Sequence, residues 1–176
     1  VNWNLQSINF DTESLTIQNR VKSVDSNMIS GATSSAFMHN EKLIIGGLIS
    51  YMGQVAAAIY KYDPISGDTI FCKYLVKDGW TRFKQGKLTH DGNYIFIGRT
   101  DEFDPAGGYY VVKTDTLGNI LWERRYGKTY YDNGLSITPT PDGDYLLFGS
   151  SAGYGEKIYL EADGLLIKID DNGSEE

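Results

Sequence analysis

The chain has 176 residues and a net charge of −7, and it has no basic run beyond Arg124-Arg125. A phosphate-backbone partner therefore finds no electrostatic footprint, and nucleic acid is excluded as the expected ligand. The longest apolar stretches, such as Val55 to Tyr60, are strand-sized, well short of the roughly twenty residues of a membrane span. Cys72 is the single cysteine, so neither an internal disulfide nor a cysteine-based metal site is expected.

In chain order, Trp3 to Phe10 alternates like a strand. It reads either as the last strand of a short N-terminal unit (residues 1–35) or as a strand that closes a ring begun at the other end. The next repeat (36–78) supplies Ala36-Met38, Leu43-Gly46, Ala56-Tyr62 and Thr69-Tyr74. The clearest repeat (79–131) has strands at about Phe83-Thr89, Asn93-Arg99, Gly108-Thr114 and Ile120-Tyr126. The last (132–176) supplies Leu135-Thr138, Tyr145-Gly149 and Leu165-Ile169, and a fourth strand would start at about Ser174. No window of eleven or more residues has helical periodicity, so no helix is expected.

The repeat is anchored by Asp91-Gly92-Asn93-Tyr94 and Asp142-Gly143-Asp144-Tyr145, 51 residues apart. Strand-ending glycines fall at Gly46, Gly98 and Gly149, and Lys-x-Asp ends a later strand at Asp63, Asp115 and Asp170. Asp-Gly and Gly-Asn supply the φ > 0 positions that short hairpins demand. A period near fifty residues, filled with strands and tight turns, predicts an all-β β-propeller of four-stranded antiparallel blades. About 3.5 such repeats fit this length, against the four to eight of a closed ring. The expectation is an incomplete propeller, or one closed by the N-terminal strand.

The string from Tyr110 through Lys113, Asp115, Gly118, Trp122 and Tyr126 to Gly127, followed by Asp132 and Asp142-Gly143-Asp144-Tyr145 to Gly149, resembles the β-propeller repeats of secreted and surface proteins of Bacteroidota. Many of those carry a C-terminal sorting domain for type IX secretion, and this sequence has none. The resemblance spans roughly residues 36–173. It implies a secreted or cell-surface bacterial protein, and it brings no catalytic residue to carry over.

Other motifs have plainer readings. Gly149-Ser150-Ser151-Ala152-Gly153 matches the G-x-S-x-G nucleophile elbow, but no helix follows it. His39 and His90 sit beside equivalent hairpin turns and read as turn-flanking polar residues on one face of neighbouring blades. The segment Asp115 to Trp122 resembles a loose Asp-box, a structural turn with an aromatic beneath it. Asp63, Asp115 and Asp170 read as turn formers whose carboxylates accept backbone N–H bonds. Asp170-Asp171-Asn172-Gly173 lacks the spaced ligands of a calcium loop, and Asn172-Gly173-Ser174 reads as a turn despite its glycosylation pattern. No catalytic residue, metal site or cofactor is assigned.

Long loops are expected on one face, at Leu48-Val55, Thr100-Ala106 and Ser150-Ala162, with Val76-Thr81 and Lys128-Asn133 between repeats. Binding sites sit on variable loops borne by a rigid scaffold. The candidate ligand-binding residues are Tyr51, Trp80, Asp101, Asp104, Tyr130, Tyr131, Tyr154 and Glu156. Aromatic rings among carboxylates suit a carbohydrate or protein ligand. The leading expectation is a non-catalytic binding or scaffold module. The alternatives are part of a propeller enzyme (a glycan lyase, a glycosidase or a quinone-dependent dehydrogenase) and an exported passenger in contact with a larger secretion or surface complex.

Overall fold

The computed structural model describes residues 4–10, 17–23, 28–51, 53–101, 108–127, 132–152 and 163–176. Among them are thirteen strands and no helix. Strands β1 (Asn4–Phe10) and β2 (Ile17–Ser23) form a two-stranded sheet of their own. The first large sheet is β3 (Met28–His39), β4 (Lys42–Tyr51), β5 (Gln54–Asp63) and β6 (Asp68–Leu75). The second is β7 (Thr81–Leu88), β8 (Tyr94–Thr100), β9 (Tyr109–Thr114) and β10 (Ile120–Tyr126). The third is β11 (Asn133–Pro139), β12 (Tyr145–Ser151) and β13 (Asp163–Ile169). Each large sheet is an antiparallel meander in chain order, a form consistent with blades. As for ring closure, β1 pairs with β2, and the described residues show no pairing of β1 with the third sheet.

Two expectations are corrected. Leu48-Val55 is not a long loop: β4 and β5 run on until Tyr51 pairs with Gln54, and Gly53, at φ 83°, turns the chain between them. The first strand of that sheet starts at Met28 instead of about residue 36, because its run of Ser, Gly, Ala and Thr carries little apolar alternation to announce a strand.

Pairing register also shifts one repeat anchor by a residue. Lys61, Lys113 and Lys168 stand opposite Ile44, Ile95 and Leu146. Equivalence therefore runs at 51-residue steps through Gly47, Gly98 and Gly149, in place of Gly46. Each of these glycines faces a bulge in the first strand of its sheet, at Thr33/Ser35, Phe83/Gln85 and Gly134/Ser136. The bulge pushes backbone toward the second strand. A Cβ on Gly98 would lie 1.8 Å from the Arg82 carbonyl oxygen, and one on Gly149 would lie 2.1 Å from that of Asn133. The strand-ending glycine is thus set by close backbone approach.

The second sheet is buried on both faces, which explains why Tyr94-Ile95-Phe96-Ile97 and Tyr109-Tyr110-Val111-Val112 do not alternate with polar residues. Tyr94, Phe96, Tyr110 and Val112 pack with Phe83 against Ile44, Ala57 and Ile59 of the first sheet. Ile95, Ile97, Tyr109 and Val111 pack against Ile137, Tyr145, Leu147 and Ile169 of the third. Phe83 lies parallel to Tyr110, with ring centroids 6.0 Å apart. Gly46 and Gly86 make room for the Phe96 ring, since a Cβ on either would come within 2.8 Å or 2.5 Å of it.

A polar clasp repeats across these interfaces. Lys61 reaches the second sheet, donating to the Thr116 carbonyl at 3.1 Å and lying 5.7 Å from the centre of the Tyr94 ring. Lys113 repeats the move one sheet on, donating to Asp171 at 2.6 Å and lying 5.9 Å from the Tyr145 ring. The lysine of Lys-x-Asp therefore meets the tyrosine of Asp-Gly-x-Tyr in the following sheet, a cation–π contact made stronger by desolvation. The Tyr145 hydroxyl donates to Asp171 as well, and the Trp122 indole donates to the Asp171 carbonyl at 3.0 Å.

Burial works to lower the Lys113 pKa, but hydrogen bonds to Asp171 and Asp91 and their charges outweigh it and raise the value. For Asp91, burial works upward, and hydrogen bonds from Thr89, Lys113 and Asn93 overcome it to hold the carboxyl well below the usual range. Asp91 therefore contributes stability that is present above its unfolded value, about pH 4, and lost as pH falls below it. Lys113 contributes stability that is present below about pH 10.5 and lost as pH rises further. Unfolding free energy from urea titrations is expected to be flat between about pH 5 and 9 and to fall below about pH 4, with Asp91→Asn reducing the acid slope; an unchanged slope in that variant would contradict the assignment. Gly98→Ala is expected to cost about 2 kcal/mol or more in the same assay, because its Cβ meets backbone rather than a movable side chain.

Candidate functional site

At one end of the second sheet, register builds a small two-by-two group on a single face. Arg82 of β7 stands opposite Arg99 of β8. One step outward, the Asp101 N–H donates to the Trp80 carbonyl at 3.1 Å, which places Trp80 opposite Asp101. Side chains two residues apart on a strand share a face, so all four point the same way. On the opposite face, Thr81 and Thr100 are fully buried and hydrogen-bonded to each other at 2.8 Å, which ties the two strand ends together. These four residues line a cleft of about 50 Å3.

The connection into β7 holds the site in place. Lys77 bridges to Gly79 and pairs with Glu123 at 3.0 Å, while Glu123 accepts a hydrogen bond from Tyr110. Gly79 lies so close to Asp101 that a Cβ would be 3.2 Å from its backbone carbon. The bend then throws Trp80 outward, 66 % exposed. Arg99 Nε donates to Asp101 Oδ1 at 3.0 Å. The Arg82 Nε is buried without a hydrogen-bond partner.

The structure thus brings together two of the expected ligand residues, Trp80 and Asp101, and joins them to two that the sequence reading passed over. Arg82 and Arg99 lie within strands, where long-loop reasoning does not look. A signal was present: at the 51-residue step Arg99 corresponds to Leu48 and Ser150, and Arg82 to Asn133, so the charged pair belongs to one repeat alone. Tyr51 lies at the end of β4, paired with Gln54. Asp104, Tyr130, Tyr131, Tyr154 and Glu156 lie outside the described residues.

The remaining motifs resolve into architecture. Ser151 of the G-x-S-x-G string lies in β12, and its buried hydroxyl donates to Asp132. His39 bonds the Tyr94 hydroxyl at 3.0 Å and His90 meets the Thr140 carbonyl at 2.7 Å, so both histidines link their sheet to the next. The Asp115 carboxylate accepts the N–H groups of Leu117 and Asn119 at 2.9 and 2.8 Å, and Asp170 does the same for Asn172 and Ser174 at 2.9 and 2.7 Å. Asp63 accepts those of Ile65 and Ser66 at 2.9 and 3.3 Å. Trp122 packs beside Gly173, under the turn of the following repeat rather than its own.

The chain matches no protein-family model and no curated protein.

An exposed ring on a preformed end of a sheet is removable at little structural cost. Trp80→Ala is expected to change unfolding free energy by no more than about 0.5 kcal/mol, whereas Phe83→Ala in the core costs about 3–5 kcal/mol; a comparable loss in both would show that Trp80 is structural.

Proposed function

We propose that the three large sheets are blades of a β-propeller, and that the protein is a non-catalytic, secreted or cell-surface binding and scaffold module. The ligand is a glycan or a protein. The face that carries it holds the ends of the second and third strands and the connections between sheets. Propeller architecture is supported by the recurrence of an antiparallel meander with a bulged first strand in all three large sheets, and of a lysine–tyrosine contact at both interfaces between them. It is supported further by the outer face of the third sheet. Leu146, Phe148 and Leu166 correspond in register to Ile95, Ile97 and Val111, which are fully buried under the following sheet. Phe148 and Leu166 are 50 % and 62 % exposed. That face has the composition of one that another blade covers.

The observation that carries the binding reading is the cleft at Trp80, Arg82, Arg99 and Asp101. It departs from the repeat, while everything the repeat shares is spent on turns and interfaces. The groups with strongly displaced pKa values, Asp91, Tyr126, Tyr145 and Lys168, are engaged in contacts between sheets or within a sheet, and none of them lines the cleft. This favours binding over catalysis. The resemblance to Bacteroidota surface propellers supports export, with a larger secretion or surface complex as a further partner.

A glycan array probed with the protein is expected to give hits that Trp80→Ala weakens about tenfold or more, and mass spectrometry is expected to recover the bound glycan intact. Hits unaffected by the substitution would remove this cleft from the binding face, and cleaved glycan would establish an enzyme.

A further inference from the structure

The binding reading above takes a narrower form at the same cleft, on which this inference rests: we infer that Arg82 and Arg99 form a subsite for the carboxylate of an acidic sugar, with Trp80 as the stacking platform for its ring. Two arginines stand directly opposite each other across adjacent strands and line the same cleft. Like charges in that position destabilise a sheet, and the protein around them is strongly acidic, with a net charge of −7. No equivalent pair occurs at the same register in the first or third sheet, where the positions are Ala32 opposite Leu48 and Asn133 opposite Ser150. A local rule broken in one repeat and kept in the others marks a position selected for something besides the fold.

One of the two charges is compensated within the site. Asp101 holds Arg99 through its Nε. Arg82 has its Nε buried with no hydrogen-bond partner, so its charge is the one left for a ligand to match. A carboxylate in the cleft that the two arginines line accepts from their outer N–H groups and relieves their repulsion. The space is adequate: the cleft is about 50 Å3, and in the same measure one water needs about 10–15 Å3. Trp80, largely exposed at the rim, offers a flat apolar face to the C–H surface of a pyranose. An acidic peptide would satisfy the arginines but has no ring face for the indole. A neutral sugar would use the indole and leave Arg82 unpaired. A uronic acid residue within a glycan uses both.

The test is calorimetric titration of the 176-residue protein with three probes. These are an oligogalacturonate, the same oligosaccharide with its carboxyl groups reduced to alcohols, and a tetrapeptide of glutamate. Binding of the oligogalacturonate is expected to exceed that of the reduced form at least tenfold and to weaken as salt rises. It should fall about tenfold in Arg82→Gln and recover only in part in Arg82→Lys, which keeps the charge but loses the planar fork. The Trp80 indole N–H resonance should shift on addition of the oligogalacturonate, a readout that a purely structural role of Arg82 does not produce. Equal, Trp80-dependent binding of the reduced oligosaccharide overturns the acidic subsite and leaves the binding module standing. Tighter, Arg82-dependent binding of the peptide overturns the choice of a glycan. Binding of none of the three, with the indole resonance unmoved, overturns the acidic subsite; if the glycan array is also blank, the glycan-binding reading falls with it.

Discussion

The insertion of one lysine from each sheet into the next is the contact on which the rest of the scaffold is aligned. Lys113 is almost fully buried, held between Asp91 of its own sheet and Asp171 of the following one, at 2.9 and 2.6 Å. A buried ammonium is costly unless its charge is matched and its protons are placed. The third sheet must therefore arrive in the one position that brings Asp171 and the Tyr145 ring to Lys113. Hydrophobic burial between the sheets supplies most of the stabilisation but is not directional. The clasp selects among the packings that burial alone would allow. Between the first two sheets the half-buried Lys61 takes the equivalent place, meeting a backbone carbonyl and the Tyr94 ring.

With that contact fixed, other features of the repeat follow. The turn at Asp170 has to keep a tight shape so that Asp171 points back at Lys113, which explains why its carboxylate takes up the turn's own N–H groups. The first strand of each sheet carries a bulge opposite the second, and at Gly98 and Gly149 only glycine tolerates the approach. The Gln85 side chain accepts the Ile137 N–H at 2.7 Å and the Ser136 hydroxyl at 3.0 Å, satisfying polar groups at the next bulge. Function then falls to positions that the repeat does not specify, and Trp80 with its arginine neighbours is such a group.

Much of this architecture was legible in the sequence because it repeats. Strand number, meander order and turn chemistry came from recurrences 51 residues apart, and the aspartates proved to be turn formers as the Asp-Gly and Lys-x-Asp patterns suggest. What the pattern could not convey was the direction of each side chain. The tyrosine of Asp-Gly-x-Tyr reads locally as a strand start, whereas its ring belongs to a contact with a lysine of the preceding sheet. Gly46 and Gly47 are adjacent, and only pairing register distinguishes the one that faces a bulge from the one that makes room for Phe96. The polar, small-residue start of β3 hid a strand, and the tight turn at Gly53 was read as a loop. Of the candidate site, Trp80 and Asp101 could be found from loop position. The arginines could be found only by asking where one repeat differs from the others.

The central claim is that the buried lysine and its acidic partner across the interface act together to align consecutive sheets. A double-mutant cycle on Lys113 and Asp171, with Lys113→Met, Asp171→Asn and the pair measured by urea unfolding at pH 7, tests it most directly. The account predicts a coupling energy of about 1 kcal/mol or more. Additive single effects, with coupling near zero, would contradict it.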